Sequence, residues 1–195
     1  MKEAVYIMNK TAIKALTAIC FVPLTVNSVM TLVKGIKIGF AGSQMILALL
    51  TALACAVMII GALTEKPALI GAGAAIYMVL MVISIAQIWA AIADVPDAMK
   101  ASMQKGVVRS AIEAIAVLAM VLGCFIRRYR LVFCIAAAAL HIIRFIVSLA
   151  NGVAFQYPVL AVLIILGWTI GALLIGIFMG GRWPDSAESD PLLNN

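Results

Sequence analysis

Four titratable side chains stand in or beside long apolar stretches of this chain, where their types could do chemistry: Arg109, Glu113, His141 and Arg144. Glu113 is followed by an apolar run, the basic tetrapeptide Arg127-Arg128-Tyr129-Arg130, a second apolar run, and then His141 and Arg144. A carboxylate, an imidazole and guanidiniums in such surroundings are the parts of a proton or ion relay, or of a structural ion pair. If the two runs are helices folded back on one another about the basic tetrapeptide, Glu113 and Arg144 lie the same number of residues from the turn. Both then sit about 21 Å into an apolar layer of about 30 Å. A lone charge at that depth costs a few kcal/mol, which a Glu–Arg contact offsets if the two faces meet. His141 precedes Arg144 by three residues and Arg109 precedes Glu113 by four, spacings that put each pair on one helix face. The four form one expected intramembrane cluster. In the competing arrangement Arg109 holds Glu113 within a single helix while Arg144 reaches for the interface. His141 is the only histidine and has no cysteine or carboxylate at ligand spacing, so neither a metal site nor a cofactor is expected.

The elements that must position these groups follow from composition. The chain is 66% hydrophobic and 11% charged, against roughly half and a quarter in soluble domains. Six runs, over 15–33, 42–63, 67–92, 107–126, 131–150 and 157–179, approach or exceed the roughly 20 residues that cross a bilayer as helix. They lack the alternation of a barrel strand. The expectation is an all-α integral membrane protein, a six-helix transmembrane bundle built from antiparallel hairpins. Residues 1–14 form a cytoplasmic N-terminal segment, 15–180 the six spans and 181–195 a cytoplasmic disordered tail. The first run is the most polar, with Thr17, Pro23, Thr25, Asn27, Ser28 and Thr31, and Pro23 beside Asn27 predicts a kink. Between the third and fourth runs, Asp94 and Pro96 suit a helix start, with Gly106 as a hinge into the fourth span.

Helix packing has its own candidates. Gly167 with Gly171, and Gly176 with Gly180, are two small-xxx-small pairs on the sixth run. Gln44 and Gln87 fall at equal distance from the Glu65-Lys66 turn and could hydrogen-bond across two helices. Cys20, Cys55, Cys124 and Cys134 have no CxxC spacing and read as small apolar packing residues. The hairpin of runs two and three aligns with that of runs four and five, with Gly61 over Gly123, a tandem similarity.

Function is bounded more by exclusion. No phosphate-binding glycine loop, zinc-protease or nucleophile-elbow motif occurs, so the chain reads as a non-enzymatic membrane subunit or scaffold; the alternative is a small-solute or ion transporter or channel using Glu113, Arg144 and His141. The expected partners are the lipid bilayer and a second copy or another membrane protein. Nucleic acid is not expected, because the net charge of +6 is scattered over the ends of the runs rather than gathered in one patch. In the tail, Glu188, Leu192 and Leu193 have the spacing of an acidic dileucine sequence, which it resembles and which implies sorting to endosomal or lysosomal carriers in a eukaryote. The expected location is the cell membrane in a prokaryote, and the plasma membrane or those compartments in a eukaryote.

Orientation follows from Lys and Arg. With six spans, Lys2, Lys10, Lys14, Lys66, Arg127, Arg128, Arg130 and Arg182 fall on one side, and Lys34, Lys37, Lys100, Lys105 and Arg109 on the other. The richer side is the cytoplasmic one. Cysteines introduced as Lys2→Cys and Asp190→Cys are therefore expected to resist an impermeant maleimide in intact cells and to react after permeabilisation. Labelling of either from outside overturns this topology.

Overall fold

The structure, a computed structural model, describes residues 2–39, 42–151 and 158–179, with side chains described from Lys10 onward. The described residues are almost entirely helical and contain no strand. Six long helices follow one another: α1 (Lys2–Ile38), α2 (Gly42–Leu63), α3 (Pro67–Ala91), α4 (Asp97–Phe125), α5 (Arg130–Ala150) and α6 (Pro158–Phe178). Each contains a stretch long and apolar enough to cross a membrane. Each packs on the next in the sequence, and α6 closes the ring against α1.

Two helices outrun their apolar runs. α1 begins far upstream of residue 15 and continues through Pro23. Its polar residues are absorbed locally: the hydroxyls of Thr17, Thr25, Ser28 and Thr31 each donate to the carbonyl four residues back, at 2.8–3.1 Å. That bond pattern lets Ser and Thr sit in an apolar helix without an outside partner. α4 begins at Asp97 and passes unbroken through the expected hinge at Gly106, where an added Cβ would meet nothing within 4 Å. Pro96 stands just ahead of the first helical residue, and no side chain caps that end.

The connections are short. The carboxyl end of α1 passes into Gly39 at φ 73°, the left-handed conformation that commonly closes a helix. At the end of α2, Lys66 N–H donates to Gly61 O at 2.9 Å and Glu65 N–H to Ala62 O at 3.3 Å, the paired bonds of a Schellman turn. The left-handed position in that turn is taken by Glu65 at φ 54°, an uncommon conformation for a residue with a Cβ.

Close approach between helices is made at glycines. A Cβ on Gly167 would run into the Cys20 carbonyl oxygen, and one on Gly171 would be 3.3 Å from Cys20 Cβ, so this pair seats α6 on α1. Gly176 faces Cys134 of α5 instead, at 2.8 Å from an added Cβ. Gly71 meets Cys124, Gly73 the Ala54 carbonyl, and Gly123 the Cys134 sulfur, each at 2.7–2.8 Å. All four cysteines are free and buried. Gly180 lies outside the described residues, as do Glu188, Leu192 and Leu193.

Overpacking a close backbone approach typically costs about 1–3 kcal/mol. Gly167→Ala is expected to lower the thermal midpoint of the detergent-solubilised protein clearly, and Gly171→Ala to lower it less. Gly106→Ala, with open space around it, should leave the midpoint unchanged or raise it, since alanine is favoured over glycine in a helix by about 1 kcal/mol. Equal effects at 167 and 106 would contradict the α1–α6 packing.

Candidate functional site: a polar network around Trp168

Trp168 stands at the middle of α6 with only 1% of its surface exposed. Three rings from three other helices surround it. Phe21 of α1 meets it edge-on at 5.8 Å between centroids, Tyr77 of α3 is tilted against it at 5.5 Å, and His141 of α5 stacks on it at 5.2 Å. Offset and edge contacts of this kind contribute roughly 0.5–1.5 kcal/mol beyond the area they bury.

The charged part of the network lies on α4 and α5. Arg144 Nη2 is 2.6 Å from Glu113 Oε2. The other carboxylate oxygen, Oε1, accepts from the Tyr77 hydroxyl at 3.0 Å. Glu113 is buried and Arg144 largely so. Both carboxylate oxygens are thus met from two different helices, the geometry that lets an ion pair persist in apolar surroundings. The pairing is inter-helical: Arg109, partly buried on α4, makes no ion pair with Glu113.

His141 is fully buried, and neither ring nitrogen has a hydrogen-bond partner. Arg144 Nε and Nη1 and Trp168 Nε1 are likewise buried without a partner. These orphan groups share the bundle interior with the ion pair, and buried polar atoms without partners are rare enough to need a reason. Gln44 and Gln87 are not brought together. Both are exposed and no hydrogen bond joins them, so equal distance from a turn did not set a shared face. Among the described residues no three His, Cys, Asp or Glu side chains are grouped as metal ligands.

Three structurally important residues escape a reading of the sequence. Tyr77 lies 36 residues from Glu113; the available signal was a hydroxyl in the middle of an otherwise apolar run. Trp168 has a similar signal, since membrane tryptophans gather at the interfaces rather than mid-helix. A third, Arg130, looks like the other loop arginines but is buried at the start of α5. Its Nε donates to Gly123 O at 3.0 Å, its Nη2 to Cys124 O at 3.4 Å and its Nη1 to Met179 O. It thereby ties the ends of α4 and α6 to the start of α5, supplying donors for terminal carbonyls that have no intrahelical partner.

No known protein family, curated protein or solved structure matches the chain.

Removing one member of a buried ion pair typically costs about 3–5 kcal/mol, because the other charge is left uncompensated. Glu113→Gln and Arg144→Gln are each expected to lower the folded yield and thermal midpoint. The double variant should lose clearly less than the sum of the two. Tyr77→Phe should cost about 1–3 kcal/mol by leaving Oε1 unmet. Strict additivity of the Glu113 and Arg144 changes would show that the pair is not coupled.

Proposed function

We propose that the six helices cross a membrane as three antiparallel hairpins with both chain ends in the cytoplasm, and that the protein is a non-enzymatic membrane subunit or scaffold. The observation that carries this reading is the closure of Glu113, whose two oxygens are engaged by Arg144 and Tyr77. A carboxylate held from two neighbouring helices fixes their rotation, which suits a rigid bundle better than a group that must exchange partners during transport. The outer surface supports the membrane part of the reading. Ile19, Ile60, Val132 and Leu163 are among many large apolar side chains that face outward from the ring, more than a water-soluble monomer tolerates. A catalytic reading has little to build on, because the single histidine stacks on Trp168 and has no nucleophile hydrogen-bonded to it. The partners this implies are lipid and a neighbouring membrane protein or second copy, with no role for nucleic acid.

A second reading, a small-solute or ion transporter, is favoured by one specific observation. His141, Arg144 and Trp168 all carry buried nitrogens without partners around the same ion pair, and intramembrane ionisable groups commonly mark ion or proton paths.

Proteoliposome flux separates the two. The scaffold reading expects no flux above protein-free liposomes under imposed pH gradients or gradients of Na⁺, K⁺ and Cl⁻. Flux in the wild type that disappears in the folded Glu113→Gln/Arg144→Gln variant would replace the scaffold by the transporter.

A further inference from the structure

One end of the ring carries a second polar site, separate from the network around Trp168. Lys10 and Lys14 stand one helical turn apart on α1, and their ammonium groups lie 3.1 Å and 2.5 Å from the two oxygens of Glu65. Glu65 occupies the left-handed position of the α2–α3 turn. An uncommon backbone conformation for a residue with a Cβ is retained where the surroundings demand that side chain, and here two lysines do. Arg127 and Arg130 approach from the α4–α5 turn. Together these five residues line much of a cavity of about 310 Å³ that also reaches Ile13 and Met179.

The charge of this cavity is unbalanced. Among the described residues that line it, four are cations and one is a carboxylate. Arg127 and Arg130 make no ion pair with any described carboxylate. The bonds that Arg130 makes go to carbonyl oxygens, which hold the guanidinium in place without cancelling its charge. A guanidinium has five N–H groups, so a clamp of three bonds leaves it with donors to spare. Prepositioned arginine beside lysine is the chemistry that recognises a phosphate, with arginine supplying directed donors and lysine a point charge. The cavity volume is at the lower end of the range of small-ligand sites, enough for a phosphate and a short substituent.

We propose that this basic cavity binds a phosphate ester. On the membrane-spanning reading, on which the choice of source rests, it lies where the apolar helices end and phospholipid headgroups begin. Basic pockets between transmembrane helices on the cytoplasmic side commonly hold such headgroups. Ile13 and Met179 border it on the apolar side, as a glycerophospholipid requires. A soluble phosphate shares the headgroup's chemistry and differs in lacking the acyl chains.

The test uses the full chain, with Arg127→Gln and Lys14→Gln as site variants and Arg128→Gln as the control. Arg128 neighbours Arg127 and carries the same charge, but it lies over the Tyr129 ring and does not line the cavity. Binding is read as retention of phosphatidic acid in phosphatidylcholine nanodiscs, by native mass spectrometry, and in detergent as the thermal shift caused by inorganic phosphate. The wild type is expected to retain phosphatidic acid over phosphatidylcholine, Arg127→Gln and Lys14→Gln to weaken this roughly tenfold each, and Arg128→Gln to change it less than about twofold. Retention that millimolar inorganic phosphate does not displace assigns the site to lipid; displacement, with a thermal shift by phosphate in detergent, assigns it to a soluble ester. The detergent arm does not depend on membrane orientation, so failure of the topology and failure of the site give different results. Equal losses in Arg127→Gln and Arg128→Gln would reduce the effect to general surface charge and overturn the proposal. So would a wild type that responds to neither probe. A tenfold gain on neutralising Asp185, Glu188 and Asp190 together would mark the chain's own tail as the occupant, and would also overturn it.

Discussion

A carboxylate enclosed by apolar helices must have its charge met where it stands, and in this bundle that demand organises three helices at once. Arg144 can reach Glu113 only if α4 and α5 turn those faces toward each other, and Tyr77 adds α3 to the same constraint. Apolar packing alone would leave those rotations weakly specified, because runs of Ala, Ile, Leu and Val offer many similar faces. A single buried polar contact is a sharper criterion, since a wrong rotation leaves a charge unpaired. Trp168 then fills the space inside the ring, with rings from α1, α3 and α5 against it.

The same requirement appears at the helix ends in another form. Where a helix stops in apolar surroundings its last carbonyls need donors, and Arg130 supplies them to Gly123, Cys124 and Met179 together. Glu65 does the converse, placing one carboxylate between two lysines of α1. The two residues make the basic end of the bundle a defined structure rather than a fringe of solvated charges. Between the ends, small residues set the spacing. Cysteine side chains stand opposite glycine at Cys20–Gly171, Cys124–Gly71 and Cys134–Gly176, so they act as compact packing groups across three interfaces.

Much of the helical framework was legible in the residues themselves. The six apolar runs fall on the six helices, because run length and hydropathy are properties of consecutive residues. Their ends were less legible. α1 and α4 extend upstream of the apolar runs, since Lys10, Lys14 and Asp97 are compatible with helix although they are not apolar. Neither Gly106 nor Pro23 interrupts its helix, as the neighbouring residues favour continuation.

Composition and spacing by themselves determined that this chain makes six long apolar helices, and that Glu113 and Arg144 would sit at matching distances from their turn. Those are facts of order along the chain. Rotation about each helix axis is not, and only the tertiary structure decided it. It paired Glu113 with Arg144 rather than with Arg109, left Gln44 and Gln87 exposed, and buried Arg130 while leaving its loop neighbours exposed. It also drew together Tyr77, His141 and Trp168, whose closeness depends on α3, α5 and α6 meeting around one interior. The physical reason is that a helix defines depth by a fixed rise per residue, whereas its facing direction is set by the neighbours that accept its side chains.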